Sequence, residues 1–316
     1  MSGVVLRLKG AEIAIKTCLG VRKGEKVLVV ADPPKLEIAL ALFEEALKVG
    51  AQANIMLMKT LTRHGEEPPE MVARAMRMAD VVIAPTTYSI THTQARLQAT
   101  LAGVRIATMP GITEDMMRRG AMLADYLEVE KKTKKVAGIL NKGSRVRITS
   151  KAGTDLTFDI SGRKAKADTG IIRKRGDFGN LPAGEAFIAP VEGSGQGKAV
   201  IDGLISSCGR RRTVITFVNG IAVKIEGNDK LFKIVSKVGK NARNLAEFGI
   251  GTNKMARFSG SVLEEEKIVG TCHIALGDNS TFGGNVRAGV HIDCVMLKPT
   301  VEIDGRVILQ DGRLLV

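Results

Sequence analysis

An α/β N-terminal domain with a parallel sheet, followed by a mainly antiparallel α+β domain, is the fold class this sequence predicts. Three observations predict it. Strand-like and helix-like stretches alternate through the first part of the chain. Beyond a charged helical segment, paired strand signals joined by tight-turn dipeptides take over. Finally, 44% of the 316 residues are apolar, enough to fill two cores at the roughly 100–200 residues typical of one domain. The predicted domains are an α/β three-layer unit over 1–127 and an α+β unit over 128–316.

KVLVVAD (Lys26 to Asp32) is a β-branched run suited to a buried strand. PKLEIALALFEEALKVG then carries apolar residues at helical spacing, with Pro34 near its start and Gly50 just past its end, the expected asymmetry of helix termini. ANIMLM, DVVIAP and RIATMP repeat the strand signal, and PPEMVARAMRMA, THTQARLQATLAG and TEDMMRRGAMLADYL the helical one. Strands that alternate with helices, without hairpin turns, imply a parallel sheet covered on both faces. The first strand runs into ADPP rather than a glycine-rich turn, which excludes a dinucleotide fingerprint. GSGQG (Gly193 to Gly197) lacks the preceding strand and the Lys-Ser/Thr ending of a phosphate loop and reads as a flexible turn. VEKKTKKVAGILNKG is a charged amphipathic helix joining the two halves. After it come a hairpin turning at Gly153, a second at Asn219-Gly220, which is a strong hairpin signal, and two Asp-Gly turns at Asp304-Gly305 and Asp311-Gly312. Between them DKLFKIVSKVGKNARNLAEFGIG reads as one helical segment.

With no Trp, two Tyr and nine Phe, the cores must rest on Val, Ile, Leu, Ala and Met. The formal net charge of +14 would suit an anionic partner. However, the basic clusters at Lys131, Lys132, Lys134, Lys135 and at Arg210, Arg211, Arg212 lack the interleaved aromatics of single-strand readers. Nucleic acid is therefore not an expected partner. Cys18, Cys208, Cys272 and Cys294 form no CxxC pair, which fits reduced thiols and a cytoplasmic location. The charged N-terminus is not a signal peptide. No apolar run approaches the ~20 residues that span a bilayer, so a soluble chain is expected.

Chemistry concentrates near the C-terminus. Of four histidines, His273 lies in GTCHIALGDNSTFGG and His291 in VHIDCVM, followed at i+2 by Asp293. In a strand, i and i+2 share a face, so His291 and Asp293 project together and His273 reaches them from a neighbouring strand. Two histidines and a carboxylate suit Zn, Mn, Co or Fe(II); the bland alternative is a set of hydrogen-bonded rim residues. Glu185 stands in the apolar, Pro-bounded segment NLPAGEAFIAP, where a buried carboxylate needs a partner. Glu247 is read as ending a helix, against the macrodipole, so that either a metal or solvent must stabilise it. The EEEK run from Glu264 to Lys267 reads as a solvated turn, with Glu266 near enough to His273 in sequence to support a ligand from behind. His64 and His92 read as isolated polar residues.

LPAGE, AEFGIGTN, EEKIVGTCHIALG and HIDCVM occur in an order and at intervals that resemble the thermophilic metallo-aminopeptidases, the aminopeptidase T family. The resemblance is close over the C-terminal half and extends to the N-terminal half in layout. It implies a homodimeric, metal-dependent aminopeptidase with two divalent ions per chain (Zn, Co or Mn) in a cleft between domains. Glu185, Glu247, His273, His291 and Asp293 fall on family ligand positions, and Glu247 would shuttle the proton while metal-activated water attacks a peptide carbonyl.

One departure stands out. Where those peptidases place a Tyr after the HIALG motif to stabilise an oxyanion, this sequence has Ser280. The same ligand set also resembles that of the dihydroxypyridine ring-cleaving dioxygenases, which hold a single Fe(II) with two His and one Asp. In that alternative the loop DNSTFGGN, with Ser280, Phe282 and Asn285, faces a small-molecule substrate, unless it is simply a tight Gly-Gly turn. A basic binding protein with a structural metal is the third class.

Overall fold

The computed structural model describes residues 8–316. They form an α/β part built on a parallel sheet and a part built on antiparallel sheets, in the two textures the sequence predicts. The chain divides into two compact units, the first running through Glu128 and including Thr169–Ala183, the second comprising Val129–Asp168 and Gly184–Val316. A single crossing after residue 127 therefore does not describe the path: the chain changes unit after Glu128, after Asp168 and after Ala183.

In the first unit five parallel strands lie in the order Gln52–Leu57, Lys26–Ala31, Val81–Thr86, Arg105–Pro110, Phe178–Asn180. Val81–Thr86 is buried throughout and Lys26–Ala31 after its first residue, which is why both read as unbroken apolar runs. The helix Leu36–Val49 returns the chain between parallel neighbours and stops at Gly50, whose φ of 88° caps it in the left-handed region. Phe178–Asn180 explains the return of Thr169–Ala183. It pairs with Arg105–Pro110 through Ile106↔Phe178 and Thr108↔Asn180, and the Thr108 and Thr91 hydroxyls donate to Asn180 Oδ1 at 2.7 and 3.1 Å. The single helix expected from Thr113 to Leu127 is instead broken by Gly120, in extended backbone, into Glu114–Arg119 and a 3-10 turn, Ala121–Leu123, before Tyr126–Leu140 starts.

The second unit holds an eight-stranded and a seven-stranded sheet. One apolar core draws on both, including Val146, Leu156 and Phe158 from the first and Ile188, Phe248 and Ile274 from the second; Phe158 and Phe248 meet edge to face at 5.3 Å. The Asn219-Gly220 hairpin forms as expected, both residues at positive φ and Val218 paired with Ile221. The seven-stranded sheet matters most here. Its neighbouring strands His291–Met296, Cys272–Gly277, Leu245–Gly251 and Glu185–Ile188 pair antiparallel.

Leu245–Gly251 corrects the reading of Glu247 as a helix end. The helix is only Asp229–Val238; it stops at Gly239 (φ 108°), and after a 3-10 turn the chain enters a wholly buried strand. The helix macrodipole therefore plays no part at Glu247. Alternation supplies the logic instead: Phe248 and Ile250 point into the core, and Glu247 shares the opposite face with His273.

Candidate metal centre

Four adjacent strands place one side chain or more each on that face. Gly249 pairs directly with His273, and a Cβ at Gly249 would lie 2.1 Å from His273 Cε1. The glycine is thus the space in which the imidazole lies. His273 Nε2 is 3.2 Å from Glu247 Oε1 and 3.2 Å from Glu185 Oε2. On the other side of Glu247, Oε2 is 3.3 Å from His291 Nε2, which is 3.1 Å from Asp293 Oδ1. His291 Nδ1 lies 2.8 Å from the Asp278 carbonyl oxygen, so that ring nitrogen carries the hydrogen and Nε2 faces the carboxylates. Ser206 Oγ donates to Asp293 Oδ2 at 3.1 Å.

Glu185, Glu247, His273, His291 and Asp293, named from separate stretches of sequence, are therefore brought together, and Glu266 joins them. Three overlapping groups, Glu185/Glu247/His273, Glu247/His291/Asp293 and Glu266/His273/Asp293, each offer ligand atoms within 4.8 Å of one another. Glu185 Oε2 is buried and accepts no hydrogen bond. A buried carboxylate oxygen without a donor, facing imidazole nitrogens, fits a divalent cation.

The charges interlock. Burial pushes the Glu185 carboxyl up to about 7, against the pull of the Lys267 ammonium, and raises Glu266 as well. Burial would lower His273, but Glu185 and Glu247 outweigh it and hold the ring at about 9. Asp293 is opposed by burial yet held well below the usual carboxylate range by the His291 imidazole. Protonated imidazoles act as the cluster's cations, and a divalent ion would displace those protons.

Lys267 is the residue that sequence reasoning missed. The EEEK run is not a solvated turn: Glu264, Glu265 and Lys267 are fully buried and Glu266 is nearly so. Glu265 pairs with Arg210 at 2.6 Å, and Lys267 Nζ reaches Glu185 Oε1 at 2.5 Å and Glu266 Oε1 at 2.6 Å. Apart from Glu266, its partners lie far away in sequence; the available signal was that Glu185, an acid in an apolar segment, needed a counter-charge.

Of the three loop residues, Phe282 packs edge to face on His291 (5.7 Å) and on Phe187 (5.6 Å). Ser280 Oγ turns back to Asp278 Oδ1 at 2.8 Å, while Asn285 is exposed and donates its backbone N–H to Glu192. His64 accepts from the Ser89 N–H and stacks edge-on against Tyr88, outside the cluster.

Carboxylates and histidines gathered in one part of a two-unit α/β and antiparallel fold define the class: a protein with a candidate metal-binding cluster. The particular family follows from comparison. A family model described as NicX: 2,5-dihydroxypyridine 5,6-dioxygenase matches residues 11–316, and the chain belongs to that family. A curated relative, the 2,5-dihydroxypyridine 5,6-dioxygenase of Pseudomonas putida strain KT2440, is 23% identical over 263 residues, spanning 76% of this chain and 72% of the relative. The solved structure of 2,5-dihydroxypyridine dioxygenase from Pseudomonas putida KT2440 superimposes with a TM-score of 0.84 at 18% identity, covering 98% of this chain and 96% of that one. Wild-type AmpT from Thermus thermophilus superimposes at 0.72 with 19% identity, covering 98% of each chain, and shares the fold.

The family match overturns the aminopeptidase reading and, with it, the hydrolase and protease assignments. The motifs that suggested it mark a ligand-bearing scaffold, and a ligand set does not by itself fix the reaction. The absence of the peptidase Tyr at Ser280 was the departure that pointed the other way.

Proposed function

We propose that this chain is a metal-dependent dioxygenase that opens the ring of a small dihydroxylated aromatic, of the dihydroxypyridine type. The observation that carries the reading is the family match over residues 11–316. An aromatic wall supports it: Phe282 stands against His291, and Phe187 packs against Phe282. Glu247, His291 and Asp293 would hold a single ion, with His273 braced against Glu247. Fe(II) suits the histidine and carboxylate donors, and when bound it supplies a redox-active Lewis acid for the ring hydroxyls and dioxygen.

The chain's own residues account for the rest. Phe282 and Phe187 present ring edges and faces to a flat substrate and keep water from one side of His291. Glu185 Oε2, buried, free of a donor and with its carboxyl near 7, takes the proton of a ring hydroxyl as the substrate binds. Lys267 fixes the other oxygen of Glu185, so Oε2 stays aimed at the cluster.

Location and assembly belong to the same proposal. Four free cysteines fit a cytoplasmic enzyme, and we expect a homodimer. Among the described residues no helix is long and apolar enough to cross a membrane. The test is oxygen uptake by Fe(II)-loaded protein given 2,5-dihydroxypyridine. One O2 consumed per ring lost is the expected result; substrate that persists, with no uptake above the metal-only control, defeats the reading.

A further inference from the structure

We infer that Glu192 and Arg163 are positioning residues for the aromatic wall: they clamp the tip of the loop 278–290 and so hold Phe282 against His291. The loop joins Cys272–Gly277 to His291–Met296, two strands that carry cluster side chains. It is far longer than the roughly 2–5 residues that close a tight hairpin, so it needs anchors to keep one side chain in one place. Its base supplies its own. The Asp278 carboxylate accepts the Ser280 and Ala288 N–H groups at 2.9 and 2.8 Å, and the Asp278 carbonyl lies 2.8 Å from His291 Nδ1. The tip is held from outside. Glu192 Oε1 accepts from the Asn279 side-chain amide at 2.9 Å and from the Asn285 N–H at 2.8 Å. Its Oε2 pairs with the Arg163 guanidinium, which also donates to the Gly283 carbonyl.

The clamp thus grips residues on both sides of Phe282, from positions 93 and 120 residues away in sequence. Its members are well shielded, Arg163 being 13% and Glu192 25% exposed, and bonds to charged groups are about twice as strong as neutral ones. Asn279 is fully buried, and a Cβ at Gly284 would lie 1.9 Å from its Cγ, so the tip closes tightly over the amide that Glu192 holds. Among the described residues neither clamp side chain is hydrogen-bonded to a member of the cluster. The clamp therefore acts on substrate through Phe282 and leaves the metal ligands to the base of the loop. Its catalytic consequence rests on the ring-opening reading; its hold on Phe282 does not.

Two experiments separate these. The chain has no Trp, so Phe282→Trp gives full-length protein a single indole at the loop tip, read without substrate. Adding Glu192→Ala should shift its emission to longer wavelength and raise its quenching by acrylamide several-fold; an unchanged spectrum and quenching would overturn the inference. In Fe(II)-loaded enzyme given 2,5-dihydroxypyridine, Glu192→Ala should raise KM several-fold with kcat and metal content little changed. Glu192→Gln, whose amide oxygen can accept the same two N–H groups, should recover part of that loss. Combined with Phe282→Ala, Glu192→Ala should add nothing further, as two changes on one path do not multiply. A multiplicative loss, or a fall in metal content, would overturn the role. Should Glu192→Ala fail to fold, Arg163→Met is read in the same two ways. An indole shift in a protein that leaves the ring intact contradicts the proposed reaction and leaves the clamp standing.

Discussion

Val81–Thr86 in the first unit and Leu245–Gly251 in the second are both buried from end to end, yet they are built from opposite materials. The first, VVIAPT, is almost wholly apolar and packs between parallel neighbours. The second, LAEFGIG, carries a carboxylate and two glycines through an equally dry environment. The difference teaches that burial alone does not define a core strand. A charge survives inside a sheet when neighbouring strands supply counter-charges at hydrogen-bond range, as His273 and His291 do for Glu247. Glycine there is a spatial device: Gly249 leaves the volume that His273 occupies.

The comparison breaks most visibly if the two strands exchange character. Val82→Asp would bury a carboxylate with no partner and should destabilise the protein by roughly 3–5 kcal/mol in denaturant unfolding. Glu247→Gln, equally buried, should leave a folded protein and instead weaken metal binding beyond the roughly 10–100-fold expected of a supporting residue. Equal destabilisation by the two changes would show that the site strand is an ordinary core element.

Gly249→Ala sharpens the point with a smaller change. Its methyl group meets His273 Cε1, so the ring must move; metal affinity should fall about 10–100-fold with little loss of secondary structure. Unchanged affinity would mean that His273 does not need this space.

Protons compete with the ion. Burial would lower His291, but Asp293 and Glu247 outweigh it and hold the ring well above its ordinary value in the metal-free cluster, so its Nε2 must lose a proton to bind metal. Apparent affinity should rise with pH through the neutral range, by up to about tenfold per unit for this group, and level off only above the raised value. Calorimetry in buffers of different ionisation enthalpy would detect the released proton. A flat profile would remove His291 from the competition.

Phe282→Ala carries the smallest expected effect. Loss of one aromatic contact, worth about 0.5–1.5 kcal/mol, should raise KM for the ring substrate several-fold while leaving metal content unchanged.

Legibility in the sequence follows the same division. The long strands of the parallel sheet announce themselves by apolar runs and flanking helices, but Phe178–Asn180 is three residues in a polar, glycine-rich stretch and is a strand only because Arg105–Pro110 receives it. Glu185, His273, His291 and Asp293 were visible as chemistry out of place in apolar surroundings. Glu247 was found for the wrong local reason, because NLAE continues a helical rhythm that Gly239 has already ended. Lys267 was hidden in a charge run, since such runs are normally solvated and only contacts distant in sequence bury this one. The reaction class was legible least: similar ligands serve hydrolysis and oxidation, and the match over the whole fold decides between them.

The most direct measurement is anomalous diffraction at the iron edge from crystals loaded anaerobically with Fe(II). The account predicts one peak per chain, within coordination distance of Glu247, His291 and Asp293, with Lys267 still bound to Glu185 and Glu266. Two peaks, or one peak seated between Glu185 and Glu266 with the lysine displaced, would contradict it.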